Sequence, residues 1–205
     1  MRALTLSVLA VMLAVTPIHA QFRQQAAEQA GLGLTLDLTF AQLGGAIGDS
    51  IGTGFGASGA AFYQPAQLPA RIGAGASYTR FATDGPGDAL NKTSFFALGS
   101  WHIADRETVV VPYIMVRVGY TRLKDDEFCG IDVCPTVLQG REWSGLEVGA
   151  VVGVDVPLTE AVNLDVAGSF SWLSLGDLEA GGQTIDSTST TASTFGLRAG
   201  VTVFP

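Results

Sequence analysis

From Gly31 onward the chain alternates. Leu32, Leu34, Leu36, Leu38 and Phe40 take every second position, with Gly33, Thr35, Asp37, Thr39 and Ala41 between them. Successive side chains leave an extended backbone in opposite directions, so a period of two sorts these residues onto the two faces of a strand. The same rhythm returns in Ile114, Val116, Val118 and Tyr120 against Met115, Arg117, Gly119 and Thr121. It returns in Leu146, Val148, Ala150, Val152, Val154 and Val156 against Gly145, Glu147, Gly149, Val151, Gly153 and Asp155. Near the end Phe195, Leu197, Ala199, Val201 and Val203 oppose Gly196, Arg198, Gly200 and Thr202.

Together these runs predict about eight strands, near 31–41, 51–63, 70–82, 92–103, 108–122, 141–156, 162–175 and 191–204. Gly52, Gly54, Gly56 and Gly59 weaken the second, and Phe95-Phe96 blurs the phase of the fourth. The breaks between runs differ in kind. Those near 64–69, 104–107 and 157–161 are short, whereas those near 42–50, 83–91, 123–140 and 176–188 are longer and rich in Gly, Asp and Ser. Short turns at one end and long loops at the other fit an up-and-down barrel with both termini on one side.

Alternation alone also fits a soluble sandwich or a lipocalin-like cup with the apolar residues inward. The opposite face decides between them. It consists mainly of Gly, Ala, Ser and Thr, which suit a cramped lumen and would make a poor water-facing surface. The 205 residues include only two lysines, Lys92 and Lys124, where a soluble β-protein would solvate its outer face with many. The expected fold is therefore all-β: a closed antiparallel transmembrane barrel over 31–205, with short periplasmic turns and longer extracellular loops. In lipid every backbone group must pair within the sheet, and closure achieves this.

Charge sharpens the picture of the interior. Asp37, Glu147 and Asp165 fall on the small-residue face, and so do Arg71, Arg117 and Arg198. An arginine facing lipid at mid-depth would cost about 2–4 kcal/mol. Opposed across a narrow lumen, acids and bases can pair and hydrogen-bond instead. A lumen plugged by charges, not an open pore, is the expectation. Arg80 and Arg122 follow the outward phase near the loop ends, placed to snorkel toward lipopolysaccharide headgroups. Tyr78, Tyr120, Trp143 and Trp172 read as interfacial aromatics.

Ahead of the barrel, Met1-Arg2, the apolar stretch Ala3 to Val15, Pro17 and Ile18-His19-Ala20 have the form of a secretory signal cut after Ala20. Residues 21–30, without alternation, read as a short periplasmic leader. Export places Cys129 and Cys134 in an oxidising compartment, where a disulfide would staple a small loop. Two thiols with no partner histidine cannot complete a tetrahedral metal site. Around that loop Lys124, Asp125, Asp126, Glu127, Ile131 and Val133 form the candidate contact for an extracellular partner.

A net charge of −8 weighs against nucleic acid. The glycines of Gly52-Thr53-Gly54-Phe55-Gly56 open no helix, so they do not read as a phosphate loop, and no cofactor is expected.

With this pattern in place, Pro112-Tyr113-Ile114-Met115-Val116-Arg117-Val118-Gly119-Tyr120 resembles the Pro-Tyr-x-x-x-Gly-x-Gly-Tyr strand of the eight-stranded outer-membrane β-barrel family that includes the OmpA barrel and OmpX-like proteins. Arg117 stands where that family has its first glycine, and sends a long side chain into the lumen. The family commonly ends in an aromatic residue read by the barrel-insertion machinery. Here Phe204 is out of phase with Val201 and Val203 and is followed by Pro205. No peptidoglycan-binding domain follows the barrel in this sequence, so a cell-wall tether is not expected.

Lipid A deacylases and palmitoyltransferases use barrels of this size, and such chemistry needs a nucleophile with an oriented base. His102, the histidine left after signal cleavage, belongs near a short periplasmic turn, away from the outer leaflet, and lacks the His-x-Ser arrangement of the deacylases. The expected role is non-enzymatic: an envelope structural or surface-interaction protein. A small gated channel and a soluble periplasmic ligand-binding barrel are the alternatives. The expected partners are outer-membrane lipid and lipopolysaccharide, an extracellular molecule at the loops, and periplasmic chaperones and insertion machinery during biogenesis.

Overall fold

The computed structural model describes residues 31–45, 51–65, 68–83, 89–103, 110–125, 141–180, 183–186 and 190–205. The expected signal segment 1–20, the leader 21–30 and both cysteines lie outside the described residues.

Eight long strands form the wall: β1 (Gly31–Gly45), β2 (Ile51–Gln64), β3 (Ala70–Thr83), β4 (Ala89–His102), β5 (Val111–Asp125), β6 (Arg141–Pro157), β7 (Val162–Ala180) and β9 (Thr190–Val203). Each pairs antiparallel with the next, and β9 returns to pair with β1 over Leu34↔Val203 to Gly45↔Ala192. The sheet is a closed up-and-down barrel. A ninth, short strand, β8 (Gln183–Asp186), pairs with the tip of β7 past the register that β7 shares with β9. Part of the expected 176–188 loop is thus a hairpin that continues the wall. Lys124 and Asp125, expected in a loop, are the last two residues of β5. The chain leaves β1 at Gly45, whose φ of +88° lies in the left-handed region that glycine adopts without a Cβ clash.

Burial is inverted relative to a water-soluble protein. Leu36 is 71% exposed and Leu38 73%, while Asp37 between them is 5% exposed. At mid-height the outward side chains of the wall are mostly Leu, Val, Ile and aromatic, and the inward ones are mostly small, polar or charged. Such an exterior suits hydrocarbon, which takes its apolar area out of water while the closed sheet pairs the backbone. Small inward residues leave room for the strands to curve. A Cβ on Gly119 would run into the β4 backbone at Phe95 and Phe96.

Leu38→Arg, at the midpoint of β1 on the outward face, is expected to destabilise the barrel by about 2–4 kcal/mol in urea unfolding from phosphatidylcholine vesicles. A change within about 0.5 kcal/mol, the range of ordinary surface substitutions, would mean that this face does not meet hydrocarbon.

Candidate functional site

The candidate site is the lumen, and its chemistry is arranged in levels from the termini to the loops. At the terminal end Arg71 of β3 lies 2.7 Å from Asp155 Oδ2 through Nη2 and donates from Nε to Gln64 Oε1 at 2.9 Å. His102 Nε2 stands 3.2 Å from the same Asp155 oxygen, and its Nδ1 is 3.3 Å from the Pro69 carbonyl. Arg71 also lies over the rings of Phe62 and Phe204, at 4.9 and 5.4 Å from their centroids, which are themselves packed edge to face. Phe204 therefore turns into the lumen, as its phase in the sequence implies, and stops this end with aromatic surface.

At the next level Arg198 of β9 ties three strands together. It reaches Asp165 Oδ1 on β7 at 3.2 Å and Asp37 Oδ2 on β1 at 3.5 Å, and donates to the Tyr113 hydroxyl on β5 at 2.7 Å. Tyr113 in turn donates to Asp165 Oδ2 at 2.5 Å, and Ser58 donates to Asp37 Oδ2 at 3.0 Å. A cavity of about 20 Å3 lies here between Arg71 and Arg198, lined also by Asp37, Ser100, Tyr113 and Thr202. Asp37 Oδ1, Ser100 Oγ and Arg198 Nε have no hydrogen-bond partner among the described residues. The cavity has the size to hold one water between them.

Nearer the loops Lys92 Nζ donates to Glu147 Oε1 at 2.9 Å, and Ser94 donates to Glu147 Oε2 at 2.7 Å. The Ser94 and Thr121 hydroxyls are 2.8 Å apart. Arg117 makes no ion pair among the described residues. Its Nη2 is 3.5 Å from Ser171 Oγ, and its guanidinium lies 5.0 Å from the centre of the Phe96 ring. Above this level the inward residues change character. Leu43, Phe81, Leu90, Leu123, Leu173 and Leu175 form a buried apolar cluster across the loop end, with Trp143 and Ile51 packed against it.

Five of the six charges expected in the lumen, Asp37, Arg71, Glu147, Asp165 and Arg198, are buried and ion-paired; the sixth, Arg117, is half-buried without an ion pair. Their partners differ from a simple set of six. Glu147 pairs with Lys92, and Arg71 pairs with Asp155, two residues outside the expected set. Asp155 shares the phase of Glu147 and was legible from alternation. Lys92 was not, because Phe95-Phe96 obscures the phase of β4 until the Lys92↔Leu123 register fixes it. Tyr113 shares the phase of Arg117, and His102 shares that of Lys92. Trp143, expected as an interfacial aromatic, packs instead against the inner apolar cluster because it carries the inward phase of Glu147. Tyr78, Tyr120 and Trp172 do face outward. Arg122 lies outside as well, bonded to Glu142 through Nε at 2.7 Å and also through Nη2. Of the candidate loop contact, Lys124 and Asp125 end β5, while Asp126, Glu127, Ile131 and Val133 lie outside the described residues, as does the expected Cys129–Cys134 bond.

No protein-family model matches this chain, and no curated protein sequence matches it. Solved structures do. Neisserial surface protein A (NspA) superposes with a TM-score of 0.62 at 20% identity, covering 86% of this chain and 98% of that one. Ail, the attachment invasion locus protein of Yersinia pestis, matches at 14% identity and TM-score 0.45 over 84% of this chain and 99% of its own. The N-terminal β-barrel domain of Pseudomonas aeruginosa OprF matches at 11% identity and TM-score 0.45, over 83% and 96%. The similarity to NspA establishes the fold as the eight-stranded outer-membrane type of barrel.

Removing one partner of a buried pair strands the other charge. Glu147→Ala is expected to cost about 3–5 kcal/mol in denaturant unfolding of the reconstituted barrel. Replacing both partners, Lys92→Met with Glu147→Leu, is expected to recover most of that loss. Equal losses for the single and double variants would show that shape, not charge pairing, sets the cost.

Proposed function

We propose that this chain, built on the fold of the eight-stranded outer-membrane barrels, is a non-enzymatic outer-membrane protein with a charge-plugged lumen that serves envelope structure or surface contact. One observation carries the reading: ion pairs cross the lumen at successive levels, and an apolar cluster covers its loop end. A solute would have to break buried pairs and then cross a dry layer, each step costing several kcal/mol. The exposed leucines of the wall weigh against a soluble periplasmic barrel.

Export proceeds on a cleaved segment over 1–20, followed by the leader 21–30, and chaperones and the insertion machinery deliver the barrel to the membrane. The loop between β5 and β6, stapled by Cys129 and Cys134, offers the contact for an outside partner. Catalysis finds little support in the lumen. The ring of His102 is engaged by Asp155 and the Pro69 carbonyl, and no hydroxyl or thiol among the described residues hydrogen-bonds to it as a nucleophile would. A small gated channel is the second reading, favoured by the unpartnered polar atoms around the lumen cavity, where a water could enter a path between the levels.

Heat-modifiable mobility and carbonate-resistant outer-membrane fractionation are the expected behaviour of the expressed chain, and a soluble periplasmic product would refute the proposal. In planar bilayers the wild type is expected to show no large steady conductance. A steady open pore would instead favour the channel.

A further inference from the structure

Inside the barrel Arg71, Lys92 and Arg198 each hold a carboxylate, and Arg117 holds none among the described residues. Glu147, two residues along β6 from the place opposite Arg117, has both oxygens taken, Oε1 by Lys92 and Oε2 by Ser94. The Arg117 side chain instead crosses Gly149, its direct neighbour on β6, and brings Nη2 to 3.5 Å from Ser171 Oγ on β7, the outer limit of a hydrogen bond. Glycine keeps that path open. A Cβ at position 149 would come within 2.7 Å of Ser171 Oγ.

The same row ends on an unsatisfied hydroxyl. Ser171 pairs with Thr194 on β9, and both are buried on the lumen side of the wall. Thr194 Oγ1 has no hydrogen-bond partner among the described residues. Ser171 accepts from Arg117, which leaves its own O–H to donate elsewhere. Directly opposite side chains on neighbouring strands stand about 5 Å apart at Cβ, so the guanidinium and the two hydroxyls are within reach of one small ligand. On the loop side Leu43, opposite Thr194 on β1, and Leu173 of the apolar cluster wall the place off. Toward the termini Arg198 lies four residues from Thr194 along β9, about 13 Å away, and its acids Asp37 and Asp165 are bonded to it.

We infer that Arg117, Ser171 and Thr194 hold a small monovalent anion of chloride's size inside the lumen. A guanidinium and two hydroxyls offer donors from three sides, and charge-assisted hydrogen bonds to an anion are the strong ones. A positive charge shut away from bulk water is costly, and a water molecule, which brings no charge, leaves that cost standing. One cation matches one negative charge. A dianion such as sulfate would bring a second charge with no cation to meet it. The site asks only for a closed barrel and holds for a scaffold and a channel alike.

Chloride binding to the chain refolded in nonionic detergent micelles tests this, with chloride replacing gluconate at constant ionic strength. Two readouts are followed, the broadening of the chloride NMR line and the urea midpoint of unfolding. Wild type is expected to broaden the line, with bromide competing and sulfate not, and to unfold at higher urea as chloride rises. Arg117→Met is expected to keep heat-modifiable mobility and to lose both responses. Thr194→Val is expected to bind chloride about tenfold more weakly, and it carries the test if Arg117→Met does not fold. Broadening by either folded variant equal to that of wild type would overturn the site, since the chloride would then be bound elsewhere. A wild type that neither broadens the line nor gains stability from chloride would overturn it too, leaving water against Arg117.

Discussion

Backbone pairing across the seam between β1 and β9 is the constraint from which the rest of the molecule follows. A sheet of this composition, open at that seam, would present two rows of unpaired amide and carbonyl groups beside an exterior of leucine and valine. Neither water nor hydrocarbon suits both at once. Closing the sheet removes the edges, and only then can the middle of the exterior be apolar. Closure in turn fixes a narrow interior, which admits mostly Gly, Ala, Ser and Thr and forces any longer side chain to find a partner within reach.

The long side chains in that interior answer the demand by pairing across strands. Asp37, Glu147, Asp155 and Asp165 pair with Arg71, Lys92 and Arg198, while Arg117 lies over the ring of Phe96. Such pairs add little net stability over apolar replacements, because desolvation offsets much of their attraction. What they contribute is register. Arg198 can meet Asp37, Tyr113 and Asp165 together only if β9, β1, β5 and β7 sit at one alignment, and a slip of one residue in any one of these strands would turn its group toward the exterior.

The wall was legible in the sequence because a period of two is a strong signal where one face is uniformly apolar and the other uniformly small. Leu32 to Phe40 and Leu146 to Val156 left no ambiguity about which residues share a face, and the small residues between them indicated which side faced out. The rule failed where the lumen itself turns apolar. Leu43 and Leu123 stood in segments that read as loops, and Leu173 and Leu175 broke the equation of apolar with outward, so the cluster at the loop end had no signature of its own. Partner choice was illegible for another reason. Which acid meets which base depends on the stagger of strands around the barrel, which pairs Lys92 with Glu147 across 55 positions of sequence and leaves Arg117 to an aromatic face.

Sequence separation gives the Arg198 tie a meaning in time. Arg198 is 161 residues from Asp37 and 85 from Tyr113, so these two contacts cannot form while the wall grows hairpin by hairpin, whereas Asp165 is on the neighbouring strand. Local pairings come first, and joining the chain ends carries the largest loop-closure entropy. Until that moment the inward charges remain hydrated in an open trough. The final step therefore zips the seam and brings Arg198 onto Asp37 and Tyr113 as one event. In this sense the barrel completes its charge-neutralised interior last.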